Sequence, residues 1–198
     1  MAGSFKAPNP SETIGILAIQ GAFAKHAQKL QQLGMKTKFI RNAEDLSQVD
    51  RLVIPGGEST AMVNMLKKHQ LWESLRAYCQ THPILGTCAG IILVANKAFP
   101  GGDEMLSVMD ISVERNQYGR QQESFMTELD CLLGGFEIRV PAFFIRAPVV
   151  STLCKDKVRV LASYQNTPVL VQQGRILAMT FHPELTENTQ ILEYFLSL

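Results

Sequence analysis

Charge of one sign is what this sequence lacks most clearly. Lys and Arg number 19 against 18 Asp and Glu, for a net charge of +1, and no dense basic run breaks the balance. Nothing in that balance argues for a nucleic acid or an anionic membrane as partner. Cysteine is scarce too. Cys79, Cys88, Cys131 and Cys154 are spread widely, with no CxxC pair and no histidine at ligand spacing. That pattern excludes a disulfide framework and points to the reduced thiols of a cytoplasmic protein, with no metal and no cofactor expected. No apolar run approaches the roughly 20 residues of a membrane-spanning helix. The opening MAGSFKAPNPSE has no charged segment followed by an apolar core, so no secretory signal is expected. What is present is ordinary: 198 residues, 46% hydrophobic and 19% charged, enough for one soluble domain. Residues 1–12, with two Pro, an Asn and two Ser, are expected to form a disordered N-terminal extension, and 13–198 the domain itself.

The periodicity fixes a sequence of elements. Thr13–Ile19 is a nearly continuous apolar run, the mark of a strand buried on both faces. Phe23, Ala27 and Leu30 give a helical stripe over residues 22–33, which Gly34 is placed to end. Strands are expected over 36–40 and 51–54, then helices over 59–69 and 71–81, the first capped by Ser59 or Thr60. A strand over 83–87 enters Cys88, and a small-residue helix over 89–96 leaves it. Strands alternating with helices predict βαβ units and a parallel sheet. The second half instead reads as short strands over 111–114, 142–145, 158–163, 168–172 and 176–180. Turn signals at Thr167-Pro168 and Gln173-Gly174 suggest antiparallel hairpins extending the sheet. A helix over 189–198 ends the chain. The expected fold is α/β, a three-layer sandwich whose mostly parallel central sheet is extended by antiparallel strands.

Gly86-Thr87-Cys88-Ala89-Gly90 has the form G-x-C-x-G, the thiol counterpart of the G-x-S-x-G nucleophile elbow. Its glycines leave room for a strained turn and for close approach of a substrate. The following helix aims its first amides at the sulfur, favouring thiolate, and the Ala89 N–H is placed to bond an oxyanion. For an isolated cysteine, a small buried residue is the simpler reading; the elbow tips the balance to catalysis. Cys79, Cys131 and Cys154 lack that context and stay with the simpler reading. A thiolate needs a base. His26 and His69 fall on helices and His82 precedes a proline, so each is read as structural or solvated. His182 follows a strand in Phe181-His182-Pro183-Glu184. Proline restrains the residue before it, so Glu184 can sit beside the imidazole and hold its tautomer. Alone, this would be a weak signal. Pro55-Gly56-Gly57-Glu58-Ser59-Thr60 lies between a strand and a helix, at the carboxyl edge where ligands bind, and Gly57 N–H is a second candidate oxyanion donor. The Lys and Ser/Thr spacing of a phosphate loop is missing. Taken by itself, the segment is a turn and a helix cap.

Together, the elbow and the Phe181–Glu184 run resemble the class I, triad-type glutamine amidotransferases. More narrowly, the chain resembles the glutaminase subunits of pyridoxal 5′-phosphate synthases. Further segments carry the narrow match: Ile19–Ala22, Pro55–Thr60, Val113–Asn116 with Gly119-Arg120-Gln121, Phe144–Pro148 and Pro183–Thr186. The resemblance runs from about Ile14 to the C-terminus and implies a flavodoxin-like fold. It implies Cys88 as nucleophile, His182 as base and acid, and Glu184 as its orienter, with an oxyanion hole at Gly57 and Ala89. Gly56, Gly57, Glu58, Arg115, Ile145 and Arg146 would hold L-glutamine; the plain reading of either arginine is a solvated surface residue. Gln20 would face the partner. That partner is a barrel-shaped synthase subunit, in a large hetero-oligomer, which receives the ammonia for vitamin B6 synthesis. The front end, residues 1–12, departs from the family pattern. Amidotransferases of histidine, purine or anthranilate synthesis are alternatives that share the elbow. A cysteine peptidase, or a binding module with a relict site, are further ones.

Overall fold

Successive residues of the central strands part to opposite faces. In the computed structural model, which describes residues 5–101, 104–115 and 124–198, Leu52 and Ile54 of one strand join one core while Val53 between them joins another. The same alternation holds for Ile84 and Leu85, and for Ile176, Leu177, Ala178 and Met179. A strand covered on both faces must be apolar at every position, which is why these segments read as continuous hydrophobic runs.

The central sheet has seven strands: β1 (Thr13–Leu17), β2 (Lys36–Ile40), β3 (Arg51–Ile54), β4 (Ile84–Thr87), β10 (Arg159–Tyr164), β11 (Thr167–Gln173) and β12 (Ile176–Met179). Their order is β10-β11-β12-β4-β3-β1-β2. From β12 to β2 every pairing is parallel, and β10-β11-β12 extends the sheet as antiparallel hairpins. This is the α/β architecture expected from the sequence. Beneath one face lie α2 (Ala43–Leu46), α3 (Ser59–Lys68), α4 (Trp72–Thr81), α5 (Ala89–Val94) and a small sheet of β5 (Ala95–Phe99), β6 (Met109–Glu114) and β9 (Val149–Leu153). The other face carries α1 (Phe23–Gln32), α6 (Gln190–Leu196) and the hairpin β7 (Ser124–Leu133)–β8 (Phe136–Ile145). No helix among the described residues is long and apolar enough to cross a membrane.

Several elements differ from expectation. The helix after Cys88 stops at Val94, and Ala95–Phe99 turns into an edge strand pairing with β6. The ten-residue hairpin arms of β7 and β8 were visible only in part, at 142–145. Their outer faces carry Met126, Leu132 and Phe136 beside charges such as Glu128, Asp130 and Arg139, and those exposed apolar residues blur the alternation. Gly134 and Gly135, at φ 58° and 88°, supply the left-handed backbone that a tight hairpin turn needs. The second hairpin turns at Gln165-Asn166, both at positive φ, rather than at Pro168, which pairs with Ser163 inside the ladder. The cap of α3 is Glu58, whose carboxylate accepts the N–H groups of Thr60 and Ala61 at 3.1 and 2.6 Å. A carboxylate at that position also meets the positive end of the helix dipole.

The front segment lies against the body. The Phe5 ring packs on Tyr194 and Phe136, with centroids 5.4 and 6.3 Å away. Glu12 Oε2 accepts from Nε of the buried Arg51 at 2.6 Å. Residues 1–4 lie outside the described residues, as do Asn116 and the Gly119-Arg120-Gln121 segment.

Candidate active site

The sheet order decides what can meet. Neighbouring parallel strands β12, β4, β3 and β1 end side by side, and their carboxyl ends lead into His182, Cys88, Gly56-Gly57 and Gln20 respectively. Residues separated by more than 160 positions are thereby gathered at one edge, where open parallel sheets place their ligands.

Cys88 sits at φ 51°, ψ −107°, in a region that side chains rarely adopt. A conformation of this kind costs on the order of 1–3 kcal/mol and persists only where the surroundings enforce it. Here the Cys88 N–H is held by the Met179 carbonyl at 2.9 Å and the thiol lies 3.9 Å from the Ile145 carbonyl. Ala89 opens α5, so its N–H has no carbonyl one turn back to satisfy it.

His182 Nδ1 lies 2.7 Å from Glu184 Oε1. His182 itself is extended, at φ −114° and ψ 89°, as the proline after it favours. The chain then bends into a 3-10 turn over Pro183–Leu185, which the sequence did not reveal, and that bend brings the carboxylate back under the ring. His182 N–H is anchored to the Phe143 carbonyl at 2.8 Å. Burial by itself disfavours the imidazolium, but the hydrogen bonds and charges of Cys88 and Glu184 outweigh it and raise the His182 pKa to about 10. Glu184 is 3% exposed. Burial would push its pKa up, yet His26 and the bond to His182 hold it below the usual carboxylate value.

His26 is the group that sequence reasoning missed. It is fully buried, with Nε2 at 3.2 Å from Thr87 Oγ1 and 3.3 Å from Glu184 Oε2. Burial lowers its pKa in spite of the neighbouring carboxylate, so the contact with Glu184 is that of a neutral imidazole and not an ion pair. A neutral ring offers Glu184 a dipole only; the short bond to His182 is the larger reason that the carboxylate stays ionised. The signal was present in the sequence: position 26 falls on the face of Phe23, Ala27 and Leu30, which a helix of period 3.6 turns inward.

The glycine loop closes the site. A Cβ on Gly56 would lie 2.7 Å from His182 Cε1 and 3.2 Å from Cys88 Cβ, so only glycine fits between nucleophile and base. The Gly56 carbonyl accepts from Ala22 N–H at 3.3 Å and abuts Gly21, which sits at φ 93°. In a trans peptide the N–H opposes the carbonyl, so Gly57 N–H points away from Ala22. Gln20 Oε1 accepts from Glu58 N–H at 3.0 Å, tying the end of β1 to this loop. The Glu58 carboxylate is occupied in capping α3. Arg115 donates to Thr60 Oγ1 at 3.1 Å, beside the same loop. Ile145 reaches the site through its carbonyl, and Arg146 follows it, exposed and at φ 41°.

This arrangement can deprotonate a thiol, attack an acyl carbon and protonate a leaving group. The model of the SNO glutamine amidotransferase family matches residues 16–198. The chain belongs to that family. A pyridoxal 5′-phosphate synthase subunit PdxT from Francisella philomiragia is 46% identical over 188 residues, covering 95% of this chain and 99% of that protein. The subunit of the same name from Francisella tularensis subsp. tularensis is 41% identical over 191 residues, with the same coverage. A crystal structure titled as a glutamine amidotransferase superposes with a TM-score of 0.86 at 39% identity, covering 92% of this chain and 96% of that one. The family match runs through both halves of the fold and takes in the carboxyl ends of the strands that meet at the site.

Proposed function

We propose that this chain is the glutaminase subunit of a pyridoxal 5′-phosphate synthase, hydrolysing L-glutamine and handing the ammonia to a synthase subunit. The observation that carries the reading is the strained Cys88 elbow facing a His182–Glu184 pair bonded at 2.7 Å. The near full-length relatives named for that synthase supply the pathway.

In this reading the Cys88 sulfur adds to the carboxamide carbon of glutamine. Negative charge gathers on the carboxamide oxygen, and the N–H groups of Gly57 and Ala89 receive it. His182, as imidazolium, gives its proton to the amide nitrogen; the C–N bond breaks, ammonia leaves and a γ-glutamyl thioester remains. Imidazole then takes a proton from water, the hydroxide adds to the thioester carbon, and the C–S bond breaks to release glutamate. Glu184 holds Nδ1–H throughout and stabilises each imidazolium. Gly56, Gly57, Glu58, Arg115, Ile145 and Arg146 line the glutamine. The two arginines are suited to its α-carboxylate, while the Glu58 carboxylate, committed to α3, acts through its backbone. Gln20, at the loop edge, faces the synthase barrel in a large hetero-oligomer. The setting is the cytoplasm, where thiols stay reduced.

The test is ammonia release from glutamine with and without the synthase subunit. Activity that rises with this synthase, and a Cys88→Ala variant that still binds the synthase but releases no ammonia, are the expected results. Full activity in Cys88→Ala, or stimulation by a different pathway's synthase alone, would overturn the assignment.

A further inference from the structure

We propose that His26 is a positioning residue of the triad, holding the second carboxylate oxygen of Glu184 from Nε2 at 3.3 Å while Thr87 Oγ1 at 3.2 Å fixes the ring. The inference deepens the glutaminase reading and rests on it for the reaction involved.

Glu184 has two oxygens and a single strong bond. Oε1 is on His182 at 2.7 Å, whereas Oε2 has no well-aligned hydrogen bond among the described residues and lies 3.3 Å from His26 Nε2; the Glu184 backbone N–H adds a weaker contribution to the carboxylate. An anionic oxygen this deeply buried needs a donor nearby. A nitrogen lone pair turned towards it would repel it, so the proton of His26 belongs on Nε2, where it is shared between Thr87 Oγ1, the aligned acceptor, and Oε2. Nδ1 is then the lone-pair atom, and it has no partner among the described residues.

The position in the fold explains why a histidine, rather than an apolar residue, fills this space. Thr87 is the last residue of β4, immediately before Cys88, and Glu184 lies in the turn after His182. His26 therefore braces the strand that carries the nucleophile against the turn that orients the base. Because burial keeps its ring neutral, it supplies a donor without discharging Glu184, whose full charge remains available to the imidazolium. Other charges near α1 are turned elsewhere. Lys29 bonds Glu187 at 3.1 Å and Lys38 of β2 pairs with Asp45 at 3.2 Å, while Lys25 and Lys36 are exposed. The titratable groups that face this cluster are Glu184, His182 and, beyond them, Cys88.

The experiment compares His26→Leu, which removes the donor, with His26→Gln, whose amide N–H can replace Nε2–H. The rate of Cys88 alkylation by iodoacetamide is followed against pH in the whole chain, and kcat and KM for glutamine are measured with the synthase bound. Loss of the donor raises the proton affinity of Glu184, and a protonated Glu184 no longer supports the His182 imidazolium. His26→Leu should therefore move the acid limb of alkylation upward by about one pH unit, slow the reaction about tenfold along that limb, and lower kcat with KM unchanged. His26→Gln should keep the wild-type limb. A wild-type profile in folded His26→Leu overturns the proposal, as does a folded His26→Gln that loses as much as His26→Leu. If His26→Leu does not fold, His26→Gln decides: a retained limb supports the role and a shifted one refutes it. Alkylation needs neither glutamine nor synthase, so failure of the glutaminase reading would show separately, as absent ammonia release in the wild type.

Discussion

Replacing Glu184 by Gln should lower kcat by between about tenfold and about a thousandfold while leaving KM for glutamine nearly unchanged. The substitution keeps the side-chain volume and an oxygen able to accept Nδ1–H of His182, so with that oxygen on His182 the loss is that of the carboxylate's charge. A hydrogen bond to an ionised group contributes about 1.5–3 kcal/mol and a neutral one about 0.5–1.5, so the bond alone loses roughly 1–2 kcal/mol of imidazolium stabilisation. The charge pair at about 4 Å, taken at an effective dielectric near 20, bounds the total at about 4 kcal/mol. At about 1.36 kcal/mol per decade these limits give the stated range. A further consequence follows from the 3.3 Å approach of His26 Nε2. A glutamine amide that keeps its oxygen on His182 presents its NH₂ to the His26 N–H, two donors face to face, and that clash favours the flipped amide. The flipped amide offers His182 a donor and selects the tautomer with its proton on the wrong nitrogen. The assay is kcat and KM with the synthase bound, from about pH 6 to about pH 10, where removing Glu184's charge should also bring the His182 pKa down from about 10. A kcat within about twofold of wild type across that range, or a loss confined to KM, would refute the reasoning.

Two further outcomes are expected. His182 is raised in the folded protein above its ordinary value, so its contribution to stability is fully present below about pH 6.5 and is lost as pH rises towards about 10. Unfolding free energies from denaturant titrations near pH 6 and near pH 10 should fall further in wild type than in His182→Asn, by at most about 5 kcal/mol; equal falls would contradict the pairing. Gly21→Ala would drive a Cβ into the Gly56 carbonyl at a φ of 93°. It should cost on the order of 1–3 kcal/mol in thermal or chemical unfolding and reduce glutaminase activity by displacing the Gly57 N–H, with unchanged activity as the contrary result.

The sequence by itself determined the elements around β1, β2, β3 and β4, because strands buried on both faces must be apolar throughout and leave a strong local signal. It also determined the chemistry of Cys88. A cysteine between two glycines at a strand–helix junction needs no distant residue to make sense, although its positive φ is held in place by the Met179 carbonyl. His182 with Glu184 was legible for a similar reason, two positions apart in chain, although the turn that joins them was not. The β7–β8 hairpin escaped because Met126, Leu132 and Phe136 on its solvent face blurred the alternation.

Tertiary structure alone decided the rest. Which strands lie side by side is a matter of non-local pairing, and the order β12-β4-β3-β1 is what brings His182, Cys88, Gly56 and Gln20 to one edge. The contrast is sharpest at His26. Its inward face could be read from helical spacing, but its meeting with Thr87, 61 residues away, and with Glu184 near the C-terminus depends on how α1 packs against that edge. A side chain's burial is written in its own neighbourhood; its partners are chosen by the fold.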